Sequence, residues 1–161
     1  MNRKRIFILQ KKAIRTINNS HYNAHPTSLF TSLKILPFEK IIDLNMYLFM
    51  HSIYNNYAHA SFNNVWPKND QRNHDHTLRN LTNFYIPLPR NEFFKSSPLY
   101  FLPKHWNNLP DEIKCLENRY TFKMSTIENT FRLLQAETLI PPTPNPPLIS
   151  PRLLPMHWLW P

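Results

Sequence analysis

The residues best suited to chemistry are Lys4, Arg5, Lys11, Lys12 and Arg15. Wound at ~100° per residue they gather on one side of a helix, and a row of cations there suits the phosphate backbone of RNA or DNA, mainly without reading sequence. Together with Arg3 they place six positive charges within the first fifteen residues, where there is no acid. The remainder of the chain carries thirteen basic and ten acidic residues, so the formal charge of +9 is concentrated at the amino-terminal end. The plainer alternative for this face is a solvated helix surface that aids solubility. A membrane-surface helix is a third reading, without the Trp anchor such helices often carry. Arg3-Lys4-Arg5 also fits the loose pattern of a nuclear-localisation signal.

Other candidates point less directly to a ligand. His21 and His25 lie four apart, and His74, Asp75 and His76 crowd one segment. A zinc site on a helix needs a third ligand and, in the metalloprotease spacing, an adjacent Glu. Neither is in place, and Asn19-Ser20 and Pro26 interrupt the local helix, so no metal and no cofactor is expected. Trp66, Tyr100, Phe101 and Trp106 could stack on single-stranded bases, but aromatics flanked by prolines more often anchor extended segments to helices, and the core role is preferred. The run Pro141–Pro147 has the make-up of a polyproline ligand for an aromatic groove. Glycine is absent from the chain, so neither a P-loop nor a dinucleotide-binding loop can be written. No Asp-Asp pair occurs that could hold the two ions of a polymerase. The one cysteine, Cys115, permits no internal disulfide, which favours a reducing compartment, and is expected to be a small buried apolar residue.

These side chains need elements to carry them, and the pattern is mainly α. The 42% hydrophobic and 14% aromatic content of 161 residues suits one globular domain. Without glycine, helix ends that need a left-handed residue must use Asn, and Asn18-Asn19 and Asn55-Asn56 stand where such caps are wanted. A first helix spans residues 5–18, with Ile6, Leu9, Ala13, Ile14 and Ile17 as its apolar face. Pro26 opens a short helix bearing Leu29, Phe30 and Leu33. Pro37 opens the longest one, to about Tyr54, in which Phe38, Ile41, Ile42, Leu48, Phe49 and Ile53 form a broad inner face, Asn45 is a buried amide, and Glu39, Lys40, Asp43 and His51 lie opposite.

Residues 57–83 read as an exposed loop. The runs 84–86 and 99–102 are β-prone but confined by Pro87, Pro89, Pro98 and Pro103 to extended or edge segments. Asp111-Glu112 after Pro110 marks another helix start, and Tyr120, Met124, Ile127, Phe131 and Leu134 recur as the stripe of a final helix. Residues 138–161 hold eight of the sixteen prolines and one charge, Arg152, and are expected to form a disordered or polyproline-like tail. The division is therefore a helical region over 1–137 and a Pro-rich tail over 138–161. No apolar stretch approaches the ~18–20 residues of a membrane span, and a soluble, intracellular protein of cytoplasm or nucleus is expected.

Several short pieces occur in a telling order: Gln10-Lys11-Lys12-Ala13-Ile14-Arg15, Tyr22-Asn23-Ala24-His25, Leu29-Phe30, Leu33-Lys34-Ile35-Leu36, residues 41–50, and Trp106-Asn107-Asn108-Leu109-Pro110. In this order and at about these separations, they resemble the extreme carboxyl-terminal region of reverse transcriptases from jockey-like non-LTR (LINE-type) retrotransposons. The likeness covers roughly residues 6–134 and departs from the family pattern at His25-Pro26, where His-Thr is usual, and around residues 75–79. It implies a non-catalytic part of an RNA-directed DNA polymerase, outside the catalytic palm and without the endonuclease. Its expected partners are an RNA or DNA backbone and the remainder of the parent polymerase, with no membrane and no small-molecule ligand. The rival expectation is a helical protein-interaction or scaffold module.

Overall fold

Proline, asparagine and serine start the helices of this chain. The computed structural model describes residues 2–62, 64–71 and 83–139, and within these the chain forms seven α-helices and two single 3₁₀ turns, with no strand. The helices are α1 (Arg3–Ile17), α2 (Pro26–Ser32), α3 (Phe38–Tyr54), α4 (Glu92–Lys95), α5 (Pro98–Asn107), α6 (Asp111–Lys114) and α7 (Arg119–Leu139). Pro26 and Pro98 occupy first-turn positions, where a missing N–H costs nothing. The side chains of Asn2, Asn91 and Ser97 accept from free amides at the starts of α1, α4 and α5.

The ends show how a glycine-free chain stops a helix. Asn19, Lys34 and Asn56 have φ of 47°, 52° and 58°. Each sits just past a cap in the same double hydrogen-bond pattern: Ser20 N to Arg15 O with Asn19 N to Thr16 O, Ile35 N to Phe30 O with Lys34 N to Thr31 O, and Tyr57 N to Ser52 O with Asn56 N to Ile53 O. This is the Schellman closure. The two asparagines are those expected; Lys34 takes a conformation disfavoured by about 1–2 kcal/mol for a residue with Cβ.

The helices form a small bundle around two apolar clusters. The larger joins α3, α5, α6 and α7 through Met50, Ile53, Trp66, Phe84, Leu102, Trp106, Leu109, Ile113 and Phe122. Trp106 is fully buried, with the rings of Tyr54, Phe84 and Phe122 at 5.3, 5.9 and 5.8 Å. Burying one such aromatic contributes up to about 4–6 kcal/mol at ~25 cal/mol per Å². Trp66 and Trp106 are therefore core anchors, not stacking platforms; Tyr100 and Phe101 are half-buried on α5. The smaller cluster is Ile14, Leu29 and Phe30, with Phe7, Ala24, Leu33 and Ile35 against it, and α2 links it to α7.

Polar side chains fasten chain-distant segments to these clusters. Asn107 pairs with both backbone groups of Phe84, accepting from its N–H at 3.0 Å and donating to its carbonyl at 2.8 Å. Lys114, only 2% exposed, donates to Asn83 Oδ1, the Asn107 carbonyl and Asp111 Oδ1, so all three protons of a buried ammonium are used. Gln10 donates to the Leu36 carbonyl at 2.9 Å and accepts from Phe38 N at 2.7 Å. Around them residues 67–69 and 83–85 pair through one antiparallel bridge, Lys68 with Phe84.

Several expectations change. His51, expected on the outer face of α3, is completely buried against Phe122 at 4.2 Å, and its Nε2 lies 2.7 Å from the Leu116 carbonyl. That contact requires Nε2 to carry the proton, leaving Nδ1 as a buried acceptor without a partner. Burial, chiefly, and the charge of Arg119 lower its pKa, although the Leu116 bond opposes this. Conversely Ile41 and Phe49 are at the exposed margin of α3, and Asn45 is exposed, its amide donating back to the Ile41 carbonyl.

Residues 99–102 are helical instead of extended. Ser97 caps Leu99, Pro98 presets the first turn, and the turn puts Leu102, Pro103 and Trp106 in the core. Pro103 removes only the donor to the carbonyl of Leu99, a residue 43% exposed. On α7 the inner face is Phe122, Thr126 and Leu134, while Tyr120 and Met124 of the expected stripe are exposed. Thr126 and Thr130 bond back to the carbonyls of Phe122 and Thr126, so their hydroxyls are satisfied locally and the residues can face inward. Cys115 is exposed, not buried, because α6 ends there after one turn with Ile113 and Lys114 taking the inner positions. The helix α7 runs through Leu139, past the expected boundary at 137; the Pro-rich tail beyond it, the Pro141–Pro147 run and the His74-Asp75-His76 cluster lie outside the described residues.

Candidate nucleic-acid interface

The basic helix α1 forms as expected, but it is turned about its axis. The expected apolar face, Ile6, Leu9, Ala13, Ile14 and Ile17, is not the one that packs. Ile14 is buried and Ile6 half-buried, whereas Leu9 and Ile17 are 64% and 66% exposed and Ala13 is exposed as well. The packed face centres on Phe7, Gln10 and Ile14. Phe7 stacks on Phe30 at 6.2 Å between centroids, and Gln10 is needed at the joint between α2 and α3. A large aromatic contact and two backbone hydrogen bonds outweigh the burial of Leu9 and Ala13.

That rotation divides the five cations. Lys4, Arg5 and Lys12 are exposed. Lys11 is drawn to the edge of the packed face, its ammonium 4.1 Å from the centroid of Phe7. Arg15 is half-buried, and its Nε and Nη2 both donate to the Ala24 carbonyl at 3.3 Å. Its guanidinium also lies over Tyr22, 5.6 Å from the ring centroid. Arg15 thus fixes the turn between α1 and α2 while keeping donors for a further acceptor.

Electrostatically this end is undiluted. The first acid in the sequence is Glu39. Among the described residues the ion pairs are Lys40–Asp43, Lys95–Glu92 and Lys114–Asp111, and none of the five cations takes part. An exposed helical surface of unpaired cations can hold phosphates at long range and without fixed register. By contrast, a cleft of about 580 Å³ reaching from Arg3 past Lys40 to Lys95 and His105 also contains Glu39 and Asp43, whose charges oppose any anion there.

No protein-family model, curated protein or solved structure matches this chain. Function is accordingly read from the side chains.

The remaining candidates sort as follows. His21 and His25 lie in the turn between α1 and α2, His25 as the residue before Pro26 at the start of α2, and not on one helix face. Among the described residues no group of three His, Cys, Asp or Glu is placed to hold a metal, and no helix is long and apolar enough to cross a membrane. Tyr22 is the site residue that sequence reasoning missed. It is 78% exposed, beside Arg15 and Lys12; its proximity to the basic helix was the available signal.

Proposed function

We propose that this chain is a non-catalytic nucleic-acid-binding module of the kind found at the carboxyl-terminal end of LINE-type reverse transcriptases. It binds RNA or DNA weakly, through phosphates, on the outer face of α1. The observation that carries this reading is the exposure of Lys4, Arg5 and Lys12 on α1, none of them in an ion pair among the described residues. The order of family-like pieces from Gln10 to Pro110 supports the parentage. The reading assigns the chain no chemical step; its contribution would be to help hold template or target for the rest of a polymerase.

A titration with labelled RNA and DNA across salt tests it. With three phosphate contacts, log K on B-DNA falls by about 2.7 per decade of salt, at ~0.9 per contact. Replacing Lys4, Arg5 and Lys12 together with Ala removes most of that slope. Salt-independent binding, or unchanged affinity in the triple variant, discards the phosphate reading. A second reading has its own observation: Leu9, Ala13 and Ile17 form an unpartnered apolar stripe at helical spacing on α1. A protein-interaction module would use that stripe, and the uncharged change Leu9→Gln would then abolish partner binding while leaving nucleic-acid affinity intact.

A further inference from the structure

At the carboxyl-terminal end of α1, Lys12, Arg15, Thr16, Asn19, Ser20 and Tyr22 surround an open hollow of about 510 Å³. Tyr22 has no packing role to explain its position. One side of its ring meets the Arg15 guanidinium, and most of the side chain faces solvent. Leaving an aromatic of this size in water forgoes burial worth a few kcal/mol, and the neighbouring Ala24 and Leu29 show that apolar cover lies within a few residues.

The turn that carries the ring is held in place. Arg15 is fixed by two hydrogen bonds to the Ala24 carbonyl, within the same turn that carries Tyr22. The turn itself is closed by the Schellman bonds at Asn19 and Ser20 and by Ala24 N to the His21 carbonyl at 2.9 Å. An exposed aromatic ring on a closed turn, with a guanidinium against it and an ammonium beside it, has the parts of a stacking platform. Flat π-faces stack on such a ring irrespective of base identity, and adjacent cations take the phosphate. A base can reach the ring only if it is unpaired, because a duplex buries its base faces.

We propose that this hollow seats one unpaired base of a single-stranded nucleic acid, its ring on Tyr22 and its phosphate on Lys12, with the free donors of Arg15 within reach of the same phosphate. The proposal rests on the phosphate reading of α1 and gives it a preference: single strands over duplexes.

The experiment is a fluorescence-anisotropy titration of the full chain with a labelled single-stranded oligonucleotide of about ten residues and the same strand in a duplex. Wild type should bind the single strand tighter. Tyr22→Ala should weaken single-strand binding about tenfold, within the range for loss of one stacked base, and leave the duplex unchanged. Tyr22→Phe should retain single-strand affinity within about twofold, and Lys12→Ala should weaken both ligands. Because Tyr22 is exposed, the circular-dichroism spectrum of Tyr22→Ala should match wild type. Equal loss on both ligands, or no loss with Tyr22→Ala, overturns the platform. If Lys12→Ala still weakens binding in that case, the phosphate reading stands without it. Absence of binding by wild type overturns both.

Discussion

Around Trp106, nine buried residues from four helices and two connecting segments close on one another, whereas beneath α1 only Ile14, Leu29 and Phe30 are buried. The larger cluster is fastened by side chains that satisfy each other across the chain, such as Asn107 with Phe84, Lys114 with Asn83, and His51 with the Leu116 carbonyl 65 residues away. The smaller is held by one aromatic stack, the two hydrogen bonds of Gln10 and those of Arg15 to the Ala24 carbonyl. The difference separates two levels of packing: the large cluster holds most of the fold, and the helix with the unpaired cations packs on the smaller one. Binding segments are commonly drawn from low-stability regions.

The largest loss is expected at the centre of the large cluster. Trp106→Ala should cost about 3–5 kcal/mol, a large share of the stability of a small domain, and abolish a cooperative urea transition followed by circular dichroism. Ile14→Ala should cost about 2–3 kcal/mol but act locally. Hydrogen exchange should show α1 amides losing protection while those of α7 retain it. Equal loss in both helices would mean a single cooperative core.

The polar fastenings give the next contrast. Asn107→Leu leaves the N–H and carbonyl of Phe84 unpaired inside the large cluster and should cost about 2–3 kcal/mol. Gln10→Ala strips groups at Leu36 and Phe38 that are only half-buried, so water can replace the partner and the cost should be nearer 1 kcal/mol. Urea midpoints of the two variants measure the difference, and a larger loss for Gln10→Ala would reverse the ranking.

A pH change acts on the large cluster through His51. His51 is held neutral by burial, so its folded pKa lies below the unfolded value near 6.5. The unfolded chain then binds the extra proton first: the stability is fully present above about pH 6.5 and declines as the pH falls from there toward the folded pKa, by at most ~1.4 kcal/mol per pH unit. Urea midpoints at pH 7.5 and 5.5 should differ, and His51→Phe should remove most of the difference. The smallest effects are expected at the left-handed caps. Lys34→Gly relieves a left-handed lysine and should stabilise by about 0.5 kcal/mol, whereas Asn56→Gly should change little, asparagine being tolerant of that region. Thermal melts of the two variants measure both.

Most helix starts and stops were legible in the sequence because proline and asparagine act locally: Pro26, Pro37 and Pro110 mark beginnings, and Asn19 and Asn56 mark ends. The faces were less legible. Hydrophobicity alone favoured Leu9 and Ala13 on α1, but Phe7 offered a larger contact and Gln10 a hydrogen-bonding one that depends on a segment 26 residues away. On α7, threonine reads as polar until its hydroxyl is seen returned to its own helix, as at Thr126. His51 looked like surface because its partners, Leu116 and Phe122, come from the far end of the chain. Of the candidate interface, the charge was readable and the division of its cations was not, since Arg15 was claimed by a turn that only the fold creates.

The glycine-free composition has a consequence for the chain before it folds. Every residue carries a Cβ and sixteen are proline, so the unfolded ensemble is narrower than that of an ordinary chain of this length. Each position where a glycine is replaced by a residue with Cβ removes about 0.4–1 kcal/mol of unfolded-state conformational entropy, if the native backbone accepts it. The left-handed backbone at Asn19, Lys34 and Asn56 is set against that gain. The ordered state is favoured here partly because its competitor is poor, which lets a small, unevenly packed core hold.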